Sequence, residues 1–207
     1  MSTVREPVAT RAHIRDLKPT QMTVGFREVD WFRKKWRSQS REEGAAYLGR
    51  HLIPVILGPK QQHYIIDHHH LCRALLEEGQ DDVLITVIAK LSKLDDDQFW
   101  VVLDNRGWLH PFDAKGLRRS HADLPGFVAD LADDPFRSLA GAVRRAGGFA
   151  KDTTPFSEFL WANFFRARFS AKAMARNFSS AVKQALKLSK HKDANYLPGW
   201  CGPVDDD

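Results

Sequence analysis

The chain has 207 residues, 43% of them hydrophobic, with 31 lysines and arginines against 26 aspartates and glutamates for a formal charge of +5. That suits one compact domain, or a core domain with a helical extension, and the two distant cysteines, Cys72 and Cys201, exclude a disulfide framework and read as free thiols of a reducing compartment. No apolar run reaches a membrane span and MSTVREPVATRAHIRD has no apolar signal stretch, so the expectation is a soluble cytoplasmic protein without a membrane partner, its mild basicity favouring anions.

Residues 8–13, VATRAH, read as a first strand, and Pro19 opposes continuation of strand or helix. Phe26 to Arg37 places Val29, Phe32 and Trp36 at helix spacing. A second helix over residues 41–50 follows Ser40, which fits a capping box with Glu43. Ile53 to Leu57 and Tyr64 to Ile66 are short apolar runs joined as a hairpin through Gly58 to His63. Leu71 to Glu78 is helical and closes on Gly79, and β-branched Val83 to Leu91 is a buried strand. Beyond residue 92 the pattern changes. Asp95 to Leu103 is helical behind three aspartates, residues 105–125 are irregular, and residues 126–146 and 156–190 are mainly helical. The expectation is an α+β protein: a mixed sheet with helices over residues 1–92, then a mainly helical extension over 93–207 that packs on it.

Chemistry concentrates in YIIDHHHLCRAL, residues 64–75, where Asp67-His68-His69-His70 sits between a strand and a helix. A helix N-terminus offers unpaired N–H groups and partial positive charge, a natural anion site. Asp67 is suited to N-cap the helix, while the histidines can donate to phosphate oxygens or titrate near neutral pH as acid or base. Three consecutive histidines after an aspartate favour a site over simple capping and packing. A metal ranks below phosphate, because adjacent side chains diverge and at most two of the three can join one site; no metal ligands are assigned.

The arrangement resembles the ParB/sulfiredoxin superfamily, in its ParB-like nuclease branch, with an apolar strand, a D-G-H-H-R-like turn and a helix. Asp16-Leu17-Lys18-Pro19-Thr20-Gln21 is similar to the family's first box, and Val24-Gly25, Lys34-Lys35 and Pro54 to Pro59 also look like that branch. The resemblance covers roughly residues 8–91. It implies that Asp67, His68, His69 and His70 bind the phosphate of a nucleotide or nucleic acid with help from Lys34 or Lys35, and that the protein is a nuclease or a nucleotide phosphohydrolase or phosphotransferase. His69 or His70 would act as acid/base or transition-state donor, and Glu28 would assist, as a carboxylate near the first box does in similar kinases. A nucleotide and a divalent metal such as magnesium stay open as cofactors, and the oligomeric state is not indicated. Two departures matter: Leu71 stands where an arginine often follows the histidine pair, removing a bidentate phosphate ligand, and His68 replaces the glycine. A histidine stands where sulfiredoxin chemistry needs a cysteine.

The alternative is a non-catalytic DNA- or partner-binding module. From Phe159 to Lys192 there are eight lysines and arginines and no acid. On one continuous helix, Arg168, Lys172, Arg176, Lys183, Lys187 and Lys190 would fall within an arc of roughly 100°, a phosphate-backbone surface or simply a solvated face. No clear helix-turn-helix follows the first unit, and His191-Lys192-Asp193 lacks the spacing of a phospholipase motif.

Overall fold

A computed structural model describes residues 8–203. Its main sheet has five strands in the order β1-β6-β4-β5-β2. These are β1 (Ala9–His13), β2 (Leu17–Pro19), β4 (Ile53–Leu57), β5 (His63–Ile65) and β6 (Asp82–Lys90). β1 is antiparallel to β6, β6 parallel to β4, β4 antiparallel to β5, and β5 parallel to β2. A second, two-stranded parallel sheet pairs β3 (Thr23–Val24) with β7 (Ala132–Asp133). The fold is mixed α+β with a helical C-terminal region.

The first helices follow local rules. α1 spans Phe26–Arg37, and α2 spans Arg41–Arg50 behind a capping box in which both Ser40–Glu43 bonds form. α3 (His69–Glu77) ends in a Schellman turn: Gln80 N–H donates to Leu75 O, Gly79 N–H donates to Leu76 O, and Gly79 adopts φ +74°, which glycine takes without steric cost. Asp95 caps α4 (Asp96–Asn105). Pro19 is the last residue of β2, so the strand stops at the proline, on the sheet edge where a missing N–H is tolerated.

Alternation along β4 sends Ile53 and Val55 to one face and Ile56 to the other. Leu71, Cys72 and Leu75 of α3 and Val29 of α1 cover the first face; Phe99 and Leu103 of α4 cover the second. Val128 and Leu131 join the first core, so the chain returns to the sheet before α5 (Pro135–Arg145) begins. Residues 126–134 hold a short 3₁₀ turn and β7 rather than the expected helix. The span 156–190 is three helices: α6 (Ser157–Arg166), α7 (Ala171–Arg176) and α8 (Phe178–Ser189). They pack on α5 around buried Leu139, Val143, Trp161, Phe165 and Ala185.

Candidate functional site: the Asp67–His70 turn and its cleft

β5 delivers the chain to Asp67, and α3 leaves from His69. Asp67 does not cap the helix as the sequence suggests. Among the described residues its Oδ1 accepts only the adjacent His68 N–H, at 2.6 Å, and His68 is the N-cap, in the left-handed region at φ 65°, ψ 23°. No side chain caps α3. Its first amides, at His69, His70 and Leu71, are therefore left without a side-chain acceptor among the described residues. The left-handed conformation is one that glycine adopts freely and histidine does not, so the glycine-to-histidine departure falls on a strained residue. His68 Nδ1 is also buried without a partner among the described residues.

The next two histidines tie the turn down. Thr20 N–H donates to His69 Nε2 at 3.2 Å, and Thr20 Oγ1 donates to Ile65 O at 2.7 Å. Gly25 N–H donates to His70 Nε2 at 2.9 Å. A backbone amide can only donate, so each Nε2 is unprotonated and each neutral ring carries its proton on Nδ1. Burial pushes His69 down to about 3; burial, then Arg137, His69 and Arg145, push His70 well below the ordinary imidazole range. Neither titrates near neutral pH as the sequence suggested. His69 ties the turn to the first box; both rings border the cleft, and His70 carries its donor at Nδ1.

That cleft has a volume of about 740 Å³. Asp67 to Leu71 form one wall, and Glu28, Trp31 and Lys35 of α1 with Tyr47 and His51 form another. Glu28 is not a solvated helix carboxylate: it is 6% exposed and gripped on both oxygens by Arg145, with Nη2 to Oε1 at 2.6 Å. Gly141 lies beneath, where a Cβ would stand 2.4 Å from the Glu28 carboxyl. Lys35 Nζ sits 5.0 Å from the Tyr47 ring centroid and 5.4 Å from that of Trp31. Lys34 is exposed and does not border the cleft. Among the described residues no group of three or more His, Cys, Asp or Glu converges to hold a metal.

The third wall escaped the sequence reading. Arg137, Arg144 and Arg145 project from α5, and Glu158 from the first turn of α6. Arg137 Nη2 pairs with Glu158 Oε2, and Arg144 Nε lies 2.8 Å from Oε1. The spacing of 137, 144 and 145 places these arginines on one helix face, a signal present in the sequence. That the face looks at the histidine turn is a tertiary fact. These arginines supply guanidinium groups opposite Leu71, where the turn lacks its own.

The basic C-terminal set does not lie on one helix. Arg168 lies between α6 and α7, its Nη1 donating to Phe164 O and its guanidinium 3.7 Å from the Phe164 ring centroid. Lys172 and Arg176 are on α7, Lys183 and Lys187 on α8, and Lys190 caps α8. The breaks at Ser170 and Asn177 remove the continuous helix on which the common arc depended.

The sheet, the first box beneath the turn and the DHHH cleft together define a ParB-like protein. A family model described as "Putative ParB-like nuclease" matches residues 10–167, and the chain belongs to that family. The match runs past the motif resemblance and includes the α5 arginines and Glu158. Among solved structures, the chain is similar to protein Atu1540 from Agrobacterium tumefaciens, at 49% identity over 96% of this chain and 100% of that one, with a TM-score of 0.88. A search of curated proteins finds no match. No helix among the described residues is long and apolar enough to cross a membrane.

Proposed function

We propose that the protein binds the phosphate of a nucleotide or nucleic acid at the Asp67–His70 turn and cleaves or transfers it. The observation that carries this reading is the uncapped start of α3, opening on a cleft whose facing wall is lined by arginines. The amides of His69 to Leu71 hold the phosphate, and the Nδ1–H of His70 donates to an oxygen that gains charge as a P–O bond breaks. Lys35 and the α5 guanidiniums supply further positive charge. Glu28 is the carboxylate placed to accept a proton from the attacking nucleophile, once an arriving phosphate draws Arg145 away from it. Membership of a ParB-like nuclease family favours nucleic acid or its components as the source of the phosphate.

Incubation with ATP, ADP, CTP, and single- and double-stranded DNA, with and without magnesium, tests this. Turnover of at least one that disappears in Glu28→Gln and in His70→Ala, with binding retained in Glu28→Gln, is the expected result. Turnover unchanged in both variants refutes the catalytic roles, and failure of every ligand to bind refutes the reading.

A further inference from the structure

Arg137 is a buried charge whose hydrogen-bonding capacity is unmet. It is 7% exposed, and Glu158 takes its Nη2, but Nε and Nη1 are shielded from solvent and find no acceptor among the described residues. A buried donor left unmet costs about 1–3 kcal/mol, and more on a charged group, so such groups are rare in folded proteins. The Phe159 ring, 4.9 Å away, covers the guanidinium without offering an acceptor. Arg144 is served little better: its Nε is 2.8 Å from Glu158 Oε1 but misaligned for a hydrogen bond. One carboxylate is shared by two guanidiniums. Burial pushes the Glu158 carboxyl up, but Arg137 and Arg144 outweigh it and hold it below the usual range.

Glu158 stands in the first turn of α6, whose N-cap, Phe156, has no side-chain cap and lies in the left-handed region at φ 58°. Of the four non-glycine residues with positive φ in the described chain, His68 and Phe156 are N-caps on this one cleft. Strain of this kind persists where surrounding structure enforces it, and it gathers at binding sites. Two helix starts, each favouring an anion, thus open on the same space, one without a side-chain cap acceptor and one with a carboxylate already beside the α5 arginines.

We propose that Arg137 and Arg144 form a second anion subsite, that Glu158 occupies it as an internal stand-in, and that a ligand with two linked phosphoryl groups displaces Glu158 while its other group rests on the α3 amides. This inference rests on the phosphate reading of the turn. Displacement exchanges one anion for another. A phosphoryl group brings more acceptor oxygens than a carboxylate, so it serves both guanidiniums and meets the donors Arg137 leaves idle. Diphosphate is the ligand chemistry such a pair of subsites selects.

The test titrates orthophosphate and pyrophosphate into the wild type, Glu158→Gln, Arg137→Gln and Arg137→Lys, following heat and the ¹⁵N resonances of the His69–Leu71 amides and Arg137 Nε. In the wild type, pyrophosphate binds at least about tenfold more tightly than orthophosphate, the size of one charge-assisted hydrogen bond, and shifts both sets of resonances. Glu158→Gln, with its competing charge removed, binds pyrophosphate more tightly still. Arg137→Gln loses the preference but keeps the turn response to orthophosphate; Arg137→Lys, which keeps the buried charge, loses it in part and guards against misfolding. If the turn amides respond while Arg137 does not, or if Glu158→Gln binds pyrophosphate no better than the wild type, Glu158 is a structural counterion and the second subsite is refuted with the phosphate reading intact. If no turn amide responds to either anion, the phosphate reading itself fails.

Discussion

His68 carries the most informative conflict between residue and backbone. A left-handed conformation costs a residue with a Cβ about 1–2 kcal/mol, and the His68 Nδ1 is buried without a partner among the described residues. His68→Gly should therefore stabilise the fold by about 0.5–1 kcal/mol, after allowing for the extra chain entropy of glycine, and urea denaturation checks this. A loss of stability would show that the ring contributes packing worth more than the strain. The buried imidazoles make a second prediction. His69 and His110 titrate at about 3 in the folded protein, both through burial first, against an ordinary 6.5 in the unfolded chain. Between those values the unfolded chain binds more protons, so stability is full above about pH 6.5 and falls as pH is lowered, by up to about 1.4 kcal/mol per unit for each group. His110→Phe, placed among Phe112, Phe156 and Phe159, should flatten the slope between pH 6.5 and 5 by one group's share; an unchanged slope would mean His110 is charged in the fold. The sequence marked the histidines but not their division of labour. Bonds from Thr20 and Gly25, 49 and 45 residues away, decide which rings are tied.

At the scale of elements, the N-terminus of α1 shows how the site is held. Gly25 offers no side-chain cap, and the first amides are met from elsewhere: Phe26 N–H by Asp133 Oδ1 at 2.8 Å, Arg27 N–H by Ser138 Oγ at 3.2 Å, and Gly25 N–H by His70. Asp133 comes from β7 and His70 from α3, and α5 can supply Ser138 only by approaching closely. A Cβ on Gly25 would lie 2.6 Å from the Ser138 backbone nitrogen. Gly25→Ala should thus destabilise the fold by about 1–3 kcal/mol through overpacking, read from the urea midpoint; a neutral effect would mean that α1 and α5 separate freely. Local rules made α1, α2 and the end of α3 legible, because a capping box and a Schellman glycine are written in a few residues. They also announced the breaks in the C-terminal span: Ser170 accepts from Ala173 N–H and Asn177 from Ser180 N–H, ordinary N-caps. Reading charge along that span without those caps merged three helices into one.

Across the whole molecule, residues distant in sequence assemble one cleft. The turn comes from the β5–α3 crossing, Glu28 from α1, and the arginines from a helix more than sixty residues after the turn. The mixed sheet and the turn were readable from patterning and resemblance. The facing wall was not, because nothing in the spacing of Arg137, Arg144 and Arg145 says which element they oppose. The lysines of α7 and α8 offer a competing account in which anions gather on a divided basic surface. A crystal structure of the protein with a bound nucleotide separates the two most directly. The central claim predicts phosphoryl oxygens within hydrogen-bonding distance of the amides of His69 to Leu71. A nucleotide held on Lys183 and Lys187, with those amides untouched, would contradict it.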